Sequence, residues 1–144
     1  MKCIPLVVCL AGTISILRAD SLPVGTWVRR DNKGGVGATL VIEAAGAGVK
    51  LTFRVTIRGQ ATGTLICTTK GDGKEEIVFM DGKPSGETMS IRRIDDRHTT
   101  NVVKNGPVVV NQKSEVSADG KVITTESTPV SPPGPKTVEY WDKK

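Results

Sequence analysis

The stretch VKLTFRVTIR, residues 49–58, alternates without a break: Val49, Leu51, Phe53, Val55 and Ile57 share one face, and Lys50, Thr52, Arg54, Thr56 and Arg58 share the other. A two-residue period is that of a β-strand with one face buried and one in water. Nine further stretches, β-branched or alternating in apolar residues, read the same way: 25–31, 38–44, 62–69, 76–80, 88–94, 98–104, 108–116, 121–127 and 136–142. From residue 20 onward no run carries apolar residues at helical spacing.

The connections carry hairpin chemistry: AGAG at 45–48, GDGK at 71–74, DGKPSG at 81–86, DD at 95–96, NGP at 105–107 and ADGK at 118–121. Gly and Asn at such places supply the positive φ that tight hairpins need. Tight hairpins make neighbours of consecutive strands, so the expected topology is an all-β, up-and-down antiparallel meander of about ten strands. Left open, that sheet would expose two long edges, and pairing its first strand with its last removes both. Closure into a barrel is therefore the expectation. A two-sheet sandwich is the alternative with the same strand spacing, and pairing of 25–31 with 136–142 separates the two. The segment TPVSPPGPK, 128–136, holds four prolines and is expected to cross one barrel end as a stiff extended loop.

The first 19 residues place Lys2 ahead of an uncharged, mostly apolar run from Cys3 to Leu17, the pattern of a secretory signal peptide. That run is shorter than the roughly 20 apolar residues of a membrane span. The expected organisation is a signal peptide over 1–19 and one barrel domain over 20–144, located in the periplasm or outside a bacterial cell. Loss of Lys2 and Arg18 reduces the 20 basic residues to 18 against 15 acidic ones, a net charge of +3. Such mild charge, with no Lys/Arg cluster among aromatics, argues against nucleic acid as partner. Cys3 and Cys9 fall in the signal, so Cys67 is left without an internal disulfide partner.

Gly25, Thr26 and Trp27 open the first strand as a Gly-x-Trp motif. With SIRRIDD at 90–96, ADGKVITTES at 118–127 and VEYWDKK at 138–144, the chain resembles the lipocalin and fatty-acid-binding (calycin) superfamily, in particular small exported bacterial lipocalin-like proteins. The resemblance covers nearly all of residues 20–144. It implies that Trp27 plugs the closed end of the barrel and that Gly25 lets the chain bend into the strand. Lipocalins cover this tryptophan with an arginine from a late strand. No arginine follows Arg97 here, so Arg93 or Arg97 is the candidate substitute. The helical lid of fatty-acid-binding proteins is missing, because only NKGGVG separates the first two expected strands.

Catalytic and metal chemistry find little support. One His98 and one Cys67 do not make a zinc site of ordinary composition, and no cofactor motif is present. Cys67 shares parity with Leu65 and reads as a small buried thiol; His98 reads as a surface residue at a turn. The Asp-Gly segments are hairpin turns, without the ligand spacing of a calcium loop or the length of a phosphate loop. In IRRIDDR, parity sends Met89, Ile91 and Arg93 inward. Arg93 then has two readings: a fork for a ligand carboxylate, or a cap on the barrel end that bonds turn carbonyls or Asp95, or covers Trp27.

The expected function is the binding of a small hydrophobic or amphipathic ligand inside a monomeric, non-enzymatic barrel. Leu51, Phe53, Val55, Ile57, Leu65, Met89 and Ile91 form the expected wall, with Arg93 as its cation. The alternative is an interaction or structural protein with a filled barrel, acting through its surface or the proline-rich loop 128–136. An interior cavity of about 300 Å³ or more favours the first reading and a packed interior the second.

Overall fold

The computed structural model describes residues 22–144 apart from Asn32; the expected signal peptide lies outside the described residues. Ten antiparallel strands follow in chain order: β1 (Gly25–Arg29), β2 (Val36–Ala45), β3 (Gly48–Ile57), β4 (Gln60–Thr69), β5 (Asp72–Met80), β6 (Lys83–Arg93), β7 (His98–Asn105), β8 (Val108–Val116), β9 (Val122–Ser131) and β10 (Thr137–Lys143). Each strand pairs with its sequence neighbours, and β1 pairs with β10, so the sheet is a closed barrel. The closing ladder is Trp27 with Lys143, Val28 with Asp142 and Arg29 with Trp141. It excludes the sandwich. Among the described residues the one helical element is a single 3-10 turn, Lys33–Gly35, between β1 and β2.

Local chemistry explains the hairpins. Arg58 and Gly59 have φ of 49° and 80°, and Asp81 and Gly82 have φ of 49° and 82°, the doubly positive pair of a turn that follows the strand twist. Other turns are tied by aspartates. Asp72 accepts the Lys74 N–H at 3.1 Å, Asp95 accepts the N–H groups of Arg97 and His98 at 2.8 and 2.9 Å, and Asp119 accepts that of Lys121 at 3.1 Å. These bonds favour the ionised form. The Lys74 and Arg97 N–H groups, respectively, hold the Asp72 and Asp95 carboxyls below the ordinary range, and the Ser117 hydroxyl does most to lower Asp119.

The core gathers where β1 meets its neighbours. Trp27 is 1% exposed and packs with Leu22, Ile42, Val49, Ile91, Ile123 and Trp141. Its indole N–H donates to the Pro23 carbonyl at 3.2 Å, which satisfies the one polar group of a buried ring. Neither Arg93 nor Arg97 covers the Trp27 ring. Lys143 does, with Nζ 5.5 Å from the Trp27 ring centroid, because the closing register sets it opposite Trp27. Gly25 makes room: its φ is +147°, and a Cβ there would lie 2.9 Å from Lys143 Cε. Phe53 meets Trp141 edge to face at 5.5 Å.

Two features depart from the sequence expectation. The proline-rich segment is not wholly a loop, since β9 continues through Thr128, Pro129, Val130 and Ser131. Pro129 is tolerated because β10 pairs no farther than Ser127 and the β8 ladder shifts register between Val109 and Val110, opposite Ser131 and Pro129. The remaining turn folds back on its own strand through a Val130–Pro133 bridge, with residues 131–138 exposed. The β4–β5 seam is thin, with only Leu65–Met80 and Ile66–Phe79 in register.

Trp27→Ala should cost about 3–5 kcal/mol in urea unfolding, as truncation of a large buried aromatic does. Lys143→Gln should cost about 0.5–2 kcal/mol through loss of the cation over the ring. An alanine variant as stable as the parent would contradict a central place for Trp27 in the core. Since folding lowers the turn aspartates' pKa values, the stability they add is present above their unfolded values near pH 4. It should fade as pH falls through the folded values, and acid titration of the unfolding midpoint reads this directly.

Candidate ligand cavity

The barrel interior holds a cavity of about 290 Å³ that opens to solvent beside the β6–β7 turn, where Asp96 and Arg97 line it. Its two sides differ in chemistry. On β2 to β6 the inward residues are mostly apolar: Leu40 and Ile42, Leu51 and Phe53, Leu65 and Cys67, Val78, then Met89 and Ile91. On β7 to β10 the lining is mixed: Thr99, Asn101, Gln112, Ser114, Thr125 and Glu139 stand among Val103, Val116, Ile123 and Trp141.

Register turns the polar side into hydrogen-bonded rows. Asn101 faces Gln112, which faces Ser127 on the far side; Thr99 faces Ser114, which faces Thr125 and then Glu139. Along the first row Asn101 Nδ2 donates to Gln112 Oε1 at 3.4 Å, and Gln112 Nε2 donates to Ser127 Oγ at 3.1 Å. In the second, the Ser114 and Thr125 hydroxyls meet at 2.9 Å. Asn101 Oδ1 is buried with no hydrogen-bond partner among the described residues, and a buried acceptor without a donor costs free energy.

Of the residues expected to face a ligand, Leu51, Phe53, Leu65, Met89, Ile91 and Arg93 line this cavity. Val55 and Ile57 do not. A ten-residue strand spans about 33 Å, and β3 runs on past the cavity to its hairpin, where Ile57 is 47% exposed. The register with β4 also shifts between Val55 and Thr56. Alternation does not reveal the polar lining, because β7 to β9 carry polar residues on both faces. The available signal was parity alone: Asn101 shares it with Val103, Ser114 with Val116, and Thr125 with Ile123.

Arg93 does point inward, and its side chain is 16% exposed. Its guanidinium is ion-paired with Asp96, three residues on, rather than with Asp95. Asp95 is held instead by the backbone of Arg97 and His98 and by the His98 ring at 2.8 Å. Arg97 donates to the Val116 carbonyl at 2.8 Å and to Glu115 at 2.7 Å. Arg29 pairs with Glu139 at 3.3 Å.

Two ionisable groups remain. Burial pushes the Cys67 thiol up to about 11, with the charges of Glu76 and Glu87 adding to the effect. Burial also raises the pKa of Glu87, another residue of the cavity lining. Among the described residues no group of three or more His, Cys, Asp or Glu side chains could hold a metal ion, and no helix is long and apolar enough to cross a membrane. Comparison of the chain with protein-family models, with curated proteins and with solved structures finds no match.

Because the thiolate is the reactive form, a pKa near 11 should slow Cys67 alkylation at pH 8 by roughly a hundredfold or more relative to an ordinary thiol. Iodoacetamide labelling followed by mass should show this, with fast reaction restored in denaturant. Rapid labelling of the native protein would contradict the buried placement.

Proposed function

We propose that this chain is an exported, monomeric, non-catalytic barrel of lipocalin-like kind that takes a small amphipathic molecule into its interior. One observation carries the reading: a mostly apolar cavity whose hydrogen-bonding groups are gathered chiefly on β7 to β10, one of them lacking a partner among the described residues. Volume alone decides little, because about 290 Å³ lies at the lower edge of the ~300–1,000 Å³ of ligand pockets. The chemistry of the lining decides more. A barrel filled for stability alone would be expected to bury apolar side chains here, whereas Thr99, Asn101 and Gln112 offer orienting polar contacts.

The non-catalytic part rests on the two groups best suited to chemistry. Cys67 faces inward with its thiol protonated, while His98 stands exposed on the outer side of the β6–β7 turn, paired to Asp95. Export rests on the first 19 residues, and the lipocalin-like kinship on the meander together with the Gly25–Trp27 motif.

N-phenyl-1-naphthylamine, a compact uncharged fluorophore, should bind one per barrel with blue-shifted emission. Met89→Trp, which projects an indole into the cavity, should weaken it at least tenfold. Phe79→Ser, on the outer face at 40% exposure, should leave it unchanged. Binding that survives Met89→Trp but is lost in Phe79→Ser would overturn the interior reading in favour of an interaction surface outside the barrel.

A further inference from the structure

The charges around the cavity do not suit an acid. Its cations are already engaged: Arg93 on Asp96 and Arg97 on Glu115. Of the anions, Asp96 is held by Arg93, Glu139 by Arg29, and Asp95 by the turn N–H groups and His98. Glu87 is the charged lining residue whose side chain has no hydrogen-bond or ion-pair partner among the described residues. Its neighbours add no positive charge: Cys67 on β4, whose thiol feels both Glu87 and Glu76, Glu76 itself on β5 beside Met89, and Asn105 opposite it on β7. The nearby Lys104 is turned outward to Glu75 at 3.4 Å. The second unused group, Asn101 Oδ1, is also an acceptor.

Resting on the reading of the cavity as a ligand site, we propose that its ligand is a hydrogen-bond donor carrying positive charge, an amine on a compact apolar body, held through its ammonium by Glu87. A carboxylate in the same place would meet Glu87 and Glu76 with like charge and find the guanidinium of Arg93 occupied. An ammonium supplies three donors and no acceptor, the complement of what the lining leaves unused. Burial of Glu87 strengthens the case, since a cation restores the ionised form that burial disfavours. Asn101 lies across from Ile91, four residues and so about 13 Å of strand from Glu87. The two acceptors therefore serve opposite ends of a ligand rather than one group.

Three probes of one shape separate the charge states: 2-phenylethylammonium, 2-phenylethanol and phenylacetate, titrated calorimetrically into the protein at pH 8. The ammonium should bind about tenfold more tightly than the alcohol, the increment of one charge-assisted hydrogen bond at the lower end of its range, and phenylacetate should bind most weakly. Glu87→Gln should erase the ammonium's advantage and leave the alcohol unaffected. In the unaltered protein, the carbon-13 signal of the Glu87 carboxyl should move with the ammonium and not with the alcohol. Phenylacetate binding as tightly as the ammonium, or an advantage that persists in Glu87→Gln, would overturn the proposal while leaving interior binding intact. Failure of all three, together with N-phenyl-1-naphthylamine, would overturn both.

Discussion

The three-residue ladder between β1 and β10 is the contact on which the rest of the molecule depends. It joins residues more than a hundred positions apart and converts a ten-strand meander into a closed barrel, so neither end strand of the meander is left as an open edge. Both faces of the barrel wall reinforce it. Inside, Trp27 is buried under Lys143; outside, Arg30 grips Asp142 with two hydrogen bonds of 3.0 and 2.6 Å. The outer pair is exposed and contributes modestly, so burial of the indole carries most of the stabilisation. Gly25 belongs to this device, because a side chain there would push Lys143 off the ring.

Closure also creates the interior, and the uneven interior follows from which strands face each other. Strands β2 to β6 bring mostly apolar residues inward, and those pack around Trp27 and Trp141. Strands β7 to β10 bring hydroxyls, amides and a carboxylate among Val103, Val116, Ile123 and Trp141. These groups are tolerable because neighbouring strands sit close enough for inward side chains in register to bond sideways, so the polar side largely satisfies itself. Asn101 Oδ1 is the exception. A molecule lying between the two sides can bury its apolar part against one and direct its polar part to the other.

The charged residues are spent chiefly on holding strands and turns. Arg93, Arg97 and His98 tie the β6–β7 turn to itself and to β8, while Arg29 ties β1 to β10 through Glu139. Positive charge near the cavity is thereby engaged elsewhere, and Glu87 has no partner among the described residues. The same surroundings keep Cys67 protonated, since burial and two nearby carboxylates all disfavour a thiolate.

The sequence by itself determined the ten strands, their antiparallel order and the barrel, because alternation and hairpin residues are local signals read within a few positions. It also placed Trp27 in the core and turned Leu51, Met89 and Arg93 inward. Only the tertiary structure decided what depends on register between distant strands. Lys143 rather than an arginine covers Trp27 because β10 arrives in one particular alignment with β1. Val55 and Ile57 fall beyond the cavity because parity gives the face of a strand and not how far along it the cavity reaches. Pro129 stays within β9 because its ladders to β8 and β10 have already shifted or ended there. The polar rows of β7 to β9 are legible only once cross-strand neighbours are known: each strand alone is polar on both faces, and the contrast that identifies an inward face is absent until closure supplies it.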